Sequence, residues 1–130
     1  MGPALLVNDN DWILERTAQM LHGLGWDVRV ATSRKSALWI CVARTPRLIV
    51  VDIEMKGGEG FEVISHVRRT DKDAFIVAVT RGKRDVVPFK IAGVCGASHH
   101  VIGPVSKTNL SEAIEVGRSL GHFRSDADEA

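Results

Sequence analysis

The chain is 130 residues long, with 17 basic and 16 acidic side chains, a formal net charge of +1 and 45% hydrophobic residues. That length suits one domain around one core, and the even, scattered charge gives no general basis for nucleic-acid binding. No apolar run approaches a membrane span, no Cys/His spacing matches a zinc site, and Cys41 and Cys95 sit far apart in apolar surroundings, as buried free thiols of a cytoplasmic protein do.

Strand-like and helical patterns alternate five times. Residues 4–7, all apolar, form the first predicted strand. A helix over 11–22 follows, with Ile13, Leu14, Thr17, Ala18 and Leu21 at helical spacing, capped by Asp11 or Asn10 and ended by Gly23 and Gly25. Asp27–Ala31 alternates polar and apolar, as a strand near a sheet edge does. Ser33 opens a second helix that Pro46 stops. Leu48–Asp52 is the most apolar run, and reads as a strand buried on both faces. A third helix spans about 59–69, a fourth strand Phe75–Val79, a fourth helix about 84–94 interrupted by Pro88 and Gly93, a fifth strand about 98–102, and a fifth helix about 107–120 with Leu110, Ala113, Ile114 and Gly117 inward. The domain is expected to end at 121. Residues 122–130 read as a polar tail or the start of a linker.

This (βα)₅ order predicts an α/β fold with a doubly wound, five-stranded parallel sheet of flavodoxin-like shape. In such folds the site lies beyond the carboxyl ends of the strands, where strand order switches. Those ends carry Asn8 and Asp9, Asp52, Thr80, and Gly103-Pro104. Two convergent carboxylates, Asp9 and Asp52, can hold a divalent cation, and one of them can serve as a nucleophile. Taken singly, each residue has a plainer reading. Asp52 could begin a turn, Asp11 could cap the first helix, and Thr80 could be a loop residue. His99 and His100 are adjacent on a strand, point to opposite faces and do not suit one metal ion. Trp26 and Trp39 read as core or surface anchors, whereas Trp12 would sit beside the cation site. Arg81-Gly82-Lys83-Arg84 reads as a solvated loop lying over the site, with an electrostatic role for Arg81 as the sharper alternative.

In order and spacing these segments resemble the receiver domain of two-component response regulators, over about residues 3–121. Leu5–Asp11 is similar to the family's first strand and acidic pair. Leu48–Asp52 with Met55–Gly60 is similar to the phosphoacceptor strand and its loop. Ala78-Val79-Thr80 matches the fourth strand, and Gly96–Val105 the segment ending in Lys-Pro. The resemblance implies that Asp52 accepts a phosphoryl group from a kinase phosphohistidine. It implies Mg²⁺ held by Asp9, Asp52, the Glu54 backbone and, through water, Asn8. Thr80 would hydrogen-bond a phosphoryl oxygen, and position 100 would act as the switch.

The chain departs from that pattern at four positions. Gly103 stands where the family has a lysine, whose charge-assisted contact is worth roughly 2–4 kcal/mol, or about two to three decades in rate. Asn8 replaces the first acid of the pair and removes one negative charge from the cation site. His100 replaces the aromatic switch residue, and Lys56 replaces the loop proline. Either Lys56, Arg81 or Lys83 partly restores the lost charge, or the domain acts through binding alone. The sequence favours an atypical receiver, not an enzyme, with impaired phosphorylation. Its alternative is a phosphorylation-independent pseudo-receiver acting as a protein–protein interaction module. Implied partners are a histidine kinase or phosphotransfer protein, and a downstream protein or output domain docked on the fourth helix, fifth strand and fifth helix. A homodimer on that face is a further expectation; direct nucleic-acid and membrane contacts are not. A flavodoxin-like nucleotide- or FMN-binding protein is disfavoured by the acidic Asn8–Asp11 turn, which would repel a phosphate. An aspartyl phosphatase would need a substrate cap for which the chain has little room.

Overall fold

The computed structural model describes residues 2–81 and 86–123. Five strands, β1 (Pro3–Val7), β2 (Asp27–Ala31), β3 (Leu48–Asp52), β4 (Phe75–Thr80) and β5 (His99–Ile102), alternate with α1 (Asp11–Gly23), α2 (Arg34–Ala43), α3 (Glu59–Thr70), α4 (Val87–Cys95) and α5 (Lys107–Ser119). The strands form one parallel sheet in the order β2-β1-β3-β4-β5. Chain order therefore reverses between β1 and β3, the crevice where a doubly wound sheet places its site. Among the described residues no helix is long and apolar enough to cross a membrane.

Period-two alternation divides the core into two layers. Leu5, Val7, Ile49, Val51, Ile76 and Ala78 meet the inner faces of α2, α3 and α4. Leu6, Leu48, Val50, Phe75, Val77 and Val79 meet those of α1 and α5. Every residue of β3 and β4 is buried, as strands covered on both faces require. The caps follow local chemistry. The Asn10 side chain accepts from the Ile13 N–H, so Asn10 rather than Asp11 caps α1. Ser33 and Ser106 cap α2 and α5 through reciprocal capping boxes.

Two expectations need correction. Pro88 does not interrupt α4. It lies in the first turn, where a missing N–H breaks no helical bond, and the helix begins at Val87. Ordered packing also continues past 121. The His122 N–H returns to the Gly117 carbonyl, and the Phe123 ring stands edge-on to both Trp26 and Phe75, with centroids 5.0 and 5.6 Å away. One apolar ring, Phe123, packed on two rings of the core, outweighs the polar composition around it. Residues 124–130 of the expected tail lie outside the described residues, as do Lys83 and Arg84.

Candidate functional site

β1 and β3 are adjacent and in register, Val7 beside Val51, so the residues just beyond them meet. Asp9 and Asp52 arrive at the same edge, as does Thr80 at the end of β4. Asp52 is 3% exposed. Its Oδ1 accepts the Glu54 N–H at 2.8 Å. Its Oδ2 accepts two bonds from the Arg81 guanidinium, from Nε at 2.9 Å and Nη2 at 2.7 Å. The same Nη2 donates to Asp9 Oδ1 at 3.0 Å. Arg81 therefore bridges the two carboxylates that the sequence offered for a cation. Its hydrogen bonds to Asp52 are the chief cause holding its pKa above the ordinary arginine value.

The remaining contacts brace this arrangement. The Arg81 N–H donates to Glu54 Oε2 at 2.6 Å, and the Lys56 N–H to Asp9 Oδ2 at 3.1 Å. Lys56 reaches the acids through its backbone, and its side chain is exposed. Asn8 uses its amide oxygen locally, accepting the Asn10 N–H at 2.9 Å. α3 begins against the strand end. A Cβ on Gly60 would lie 2.3 Å from the Asp52 carbonyl oxygen, so only glycine lets the helix start there. Sequence reasoning passed over Gly60 and the Glu54 carboxylate, because nothing local marks a close approach across the sheet edge.

Gly103 is buried, and its N–H donates to the Thr80 carbonyl at 2.7 Å. A Cβ built there would stand 2.7 Å from the same oxygen. The end of β5 is thus packed on β4 as only a residue without a side chain allows. The Thr80 hydroxyl is buried and has no hydrogen-bond partner, an exception to the rule that buried polar atoms are paired. His100 is exposed and stacks on Phe89 of α4, with centroids 4.2 Å apart. His99 turns toward Phe75, 6.4 Å between centroids. Burial, and secondarily the neighbouring His100, lowers the His99 pKa. Trp26 is buried, while Trp12 and Trp39 are exposed, Trp12 with the Arg16 guanidinium 5.6 Å from its ring centroid. Cys41 and Cys95 are free and partly buried, and burial pushes the Cys41 thiol up.

The donor set is hard oxygen, as Mg²⁺ requires, but in this structure Arg81 occupies the two carboxylates that would hold the ion. The guanidinium spans both carboxylates, and among the described residues no group of three or more His, Cys, Asp or Glu is placed to hold a metal.

The sequence profile of the response regulator receiver domain matches residues 4–115. The transcriptional regulatory protein AfsQ1 of Streptomyces coelicolor is 32% identical over 114 residues, which are 88% of this chain and 50% of that protein. The photosynthetic apparatus regulatory protein RegA of Rhodobacter capsulatus is 26% identical over 85% of this chain and 59% of its own length. The chain therefore spans about half the length of the curated relatives it matches. A CheY-like receiver domain from Methanospirillum hungatei superposes with a TM-score of 0.83 at 23% identity, covering 92% of this chain and 95% of that one. The receiver domain of NtrX from Brucella abortus gives 0.81 at 24% identity, over 89% and 98%. The shared fold, the convergence of Asp9, Asp52 and Thr80, and the match across most of the chain together place this protein in the response regulator receiver domain family of two-component signalling.

Proposed function

We propose that this chain is an atypical receiver in which Arg81 holds the acceptor carboxylate, so that phosphorylation is impaired and signalling runs chiefly through protein contact. The observation that carries this reading is the guanidinium shared between Asp52 Oδ2 and Asp9 Oδ1. A carboxylate attacks phosphorus through an oxygen lone pair. Here both oxygens of Asp52 accept hydrogen bonds, and the more engaged one lies under a fixed positive charge. Arg81 thus supplies the charge that Gly103 lacks, but on the nucleophile rather than on the phosphoryl oxygens. Mg²⁺ must compete with it for the same two acids, which weakens metal binding.

One observation favours residual phosphoryl chemistry over a pure pseudo-receiver. The orphaned Thr80 hydroxyl is a donor that a phosphoryl oxygen on Asp52 would satisfy. The output surface is α4–β5–α5, where Val87, Ile91, Val94, Ile102, Val116 and Leu120 are exposed apolar side chains. Such a patch suits a protein partner, an output domain or a second copy. Upstream, the partner is a histidine kinase or phosphotransfer protein, and the setting is the cytoplasm. The domain is a phosphoacceptor or binding module rather than an enzyme.

Acetyl phosphate with Mg²⁺, read by intact mass, tests this directly. The expected result is little phosphorylation of the wild type, at least tenfold more in Arg81→Ala, and none in Asp52→Asn. Efficient labelling of the wild type, unchanged in Arg81→Ala, would overturn the proposed role of Arg81.

A further inference from the structure

A pocket of about 230 Å³ runs from Gly103 to Asp52, between the sheet and α1. Leu6, Val50 and Val79 of the sheet, Ile13 and Leu14 of α1, and Val105 after β5 supply its apolar wall. It reaches Gly103 because residue 103 has no side chain, and the 2.7 Å approach to the Thr80 carbonyl leaves no room for one. Its polar lining is largely self-satisfied. Asp52 is bonded to Arg81 and Glu54, the Thr17 hydroxyl donates to the Ile13 carbonyl at 2.8 Å, and the Asn8 amide oxygen accepts from Asn10. Only the buried Thr80 hydroxyl, among the polar side chains there, lacks a partner.

We infer that this pocket is a binding site for a small, uncharged, largely apolar molecule of about one or two rings, carrying at most one hydroxyl-type group. Apolar cavities of about 150 Å³ already admit benzene, and this one is larger. An anion would meet Arg81, the one basic residue of the lining, only where its guanidinium is already paired with Asp52. A cation would have to bury its charge against an apolar wall where Asp52 is already neutralised. A neutral ring loses nothing on either count and gains by leaving water. Its occupant would touch α1, β3, β4 and the segment after β5 together, and so bear on the packing of β5 that supports the output surface. The site shares Asp52, Thr80 and Arg81 with the proposed function and rests on the same pairing of Arg81 with Asp52, but it assigns a ligand that function does not use.

The probes are benzyl alcohol, benzylamine and benzoate, which share a ring and differ in charge, followed by amide and methyl NMR shifts of the whole chain. The expected result is saturable shifts at Leu14, Val50 and Val105 with benzyl alcohol, and at least tenfold weaker responses with benzylamine and benzoate. Val105→Phe and Ile13→Phe each fill the pocket from a different side, and either folded variant is expected to weaken benzyl alcohol binding at least tenfold. Absent or unsaturable shifts, equal binding of a charged probe, or undiminished binding in a folded filling variant would overturn the inference.

Discussion

Two arginines at opposite ends of the sheet are used in opposite ways. At the carboxyl end Arg81 lies on two carboxylates, Asp52 and Asp9. At the amino end Arg68 of α3 donates to the carbonyls of Asp71, Lys72, Ala74 and Gly96 and to the Ser98 hydroxyl. Carbonyl oxygens in loops have no alternative cation, and the fixed fork of a guanidinium fits several at once. Arg68 therefore ties the end of α3 to the starts of β4 and β5. Carboxylates can trade a guanidinium for a metal ion, so Arg81 occupies a position that another cation can contest. One arginine is part of the frame, and the other is a replaceable counter-charge.

The largest expected effect follows from removing the frame. Arg68→Ala leaves four carbonyls without this donor and is expected to lower unfolding free energy by about 3 kcal/mol in urea titration. Arg68→Lys recovers only part, because one ammonium cannot reach every acceptor. Added Mg²⁺ rescues neither variant.

A smaller effect is expected at the other end. Arg81 is 44% exposed on its side chain, and Asp52 only 2%. Removing the cation leaves a buried carboxylate with the Glu54 N–H as partner, a loss of about 1–2 kcal/mol after solvent screening of the exposed partner. Millimolar Mg²⁺ is expected to recover most of it, because an ion that binds only the folded state stabilises that state. Equal Mg²⁺ response in Arg81→Ala and Arg68→Ala would erase the distinction between the two arginines.

The smallest effect concerns pH. Loss of stability between neutral and mildly acid pH has a source away from both arginines. Burial lowers the pKa of His99 below its ordinary 6.5. The unfolded chain then binds the proton first. Stability is full above pH 6.5 and falls as pH drops from there toward the lowered folded value. Urea midpoints of His99→Gln are expected to be flatter than wild type across that window, with the gap between the two arginine variants preserved.

Much of the fold is legible in the residues themselves. β3 is a continuous β-branched run, and Ser33 and Ser106 stand where helix caps belong, so strand and helix order follow from local chemistry. The parts that were misread depend on context. Pro88 looks like a breaker until its place in the first turn of α4 is known. Phe123 sits among polar residues, and only the return of the chain over Gly117 brings its ring to Trp26 and Phe75.

The candidate site divides in the same way. The sequence by itself determined that Asp9, Asp52 and Thr80 lie at or just past strand ends and that the lysine position is a glycine, because strand ends and residue identities are local facts. It offered Lys56, Arg81 and Lys83 equally as replacement charges. Only the tertiary structure brought the Arg81 guanidinium onto both acids, gave Lys56 a backbone contact instead, and packed Gly103 on the Thr80 carbonyl. Those outcomes turn on distances across the sheet edge between residues as far apart in the chain as Asp9 and Arg81, and no local pattern of residues encodes them.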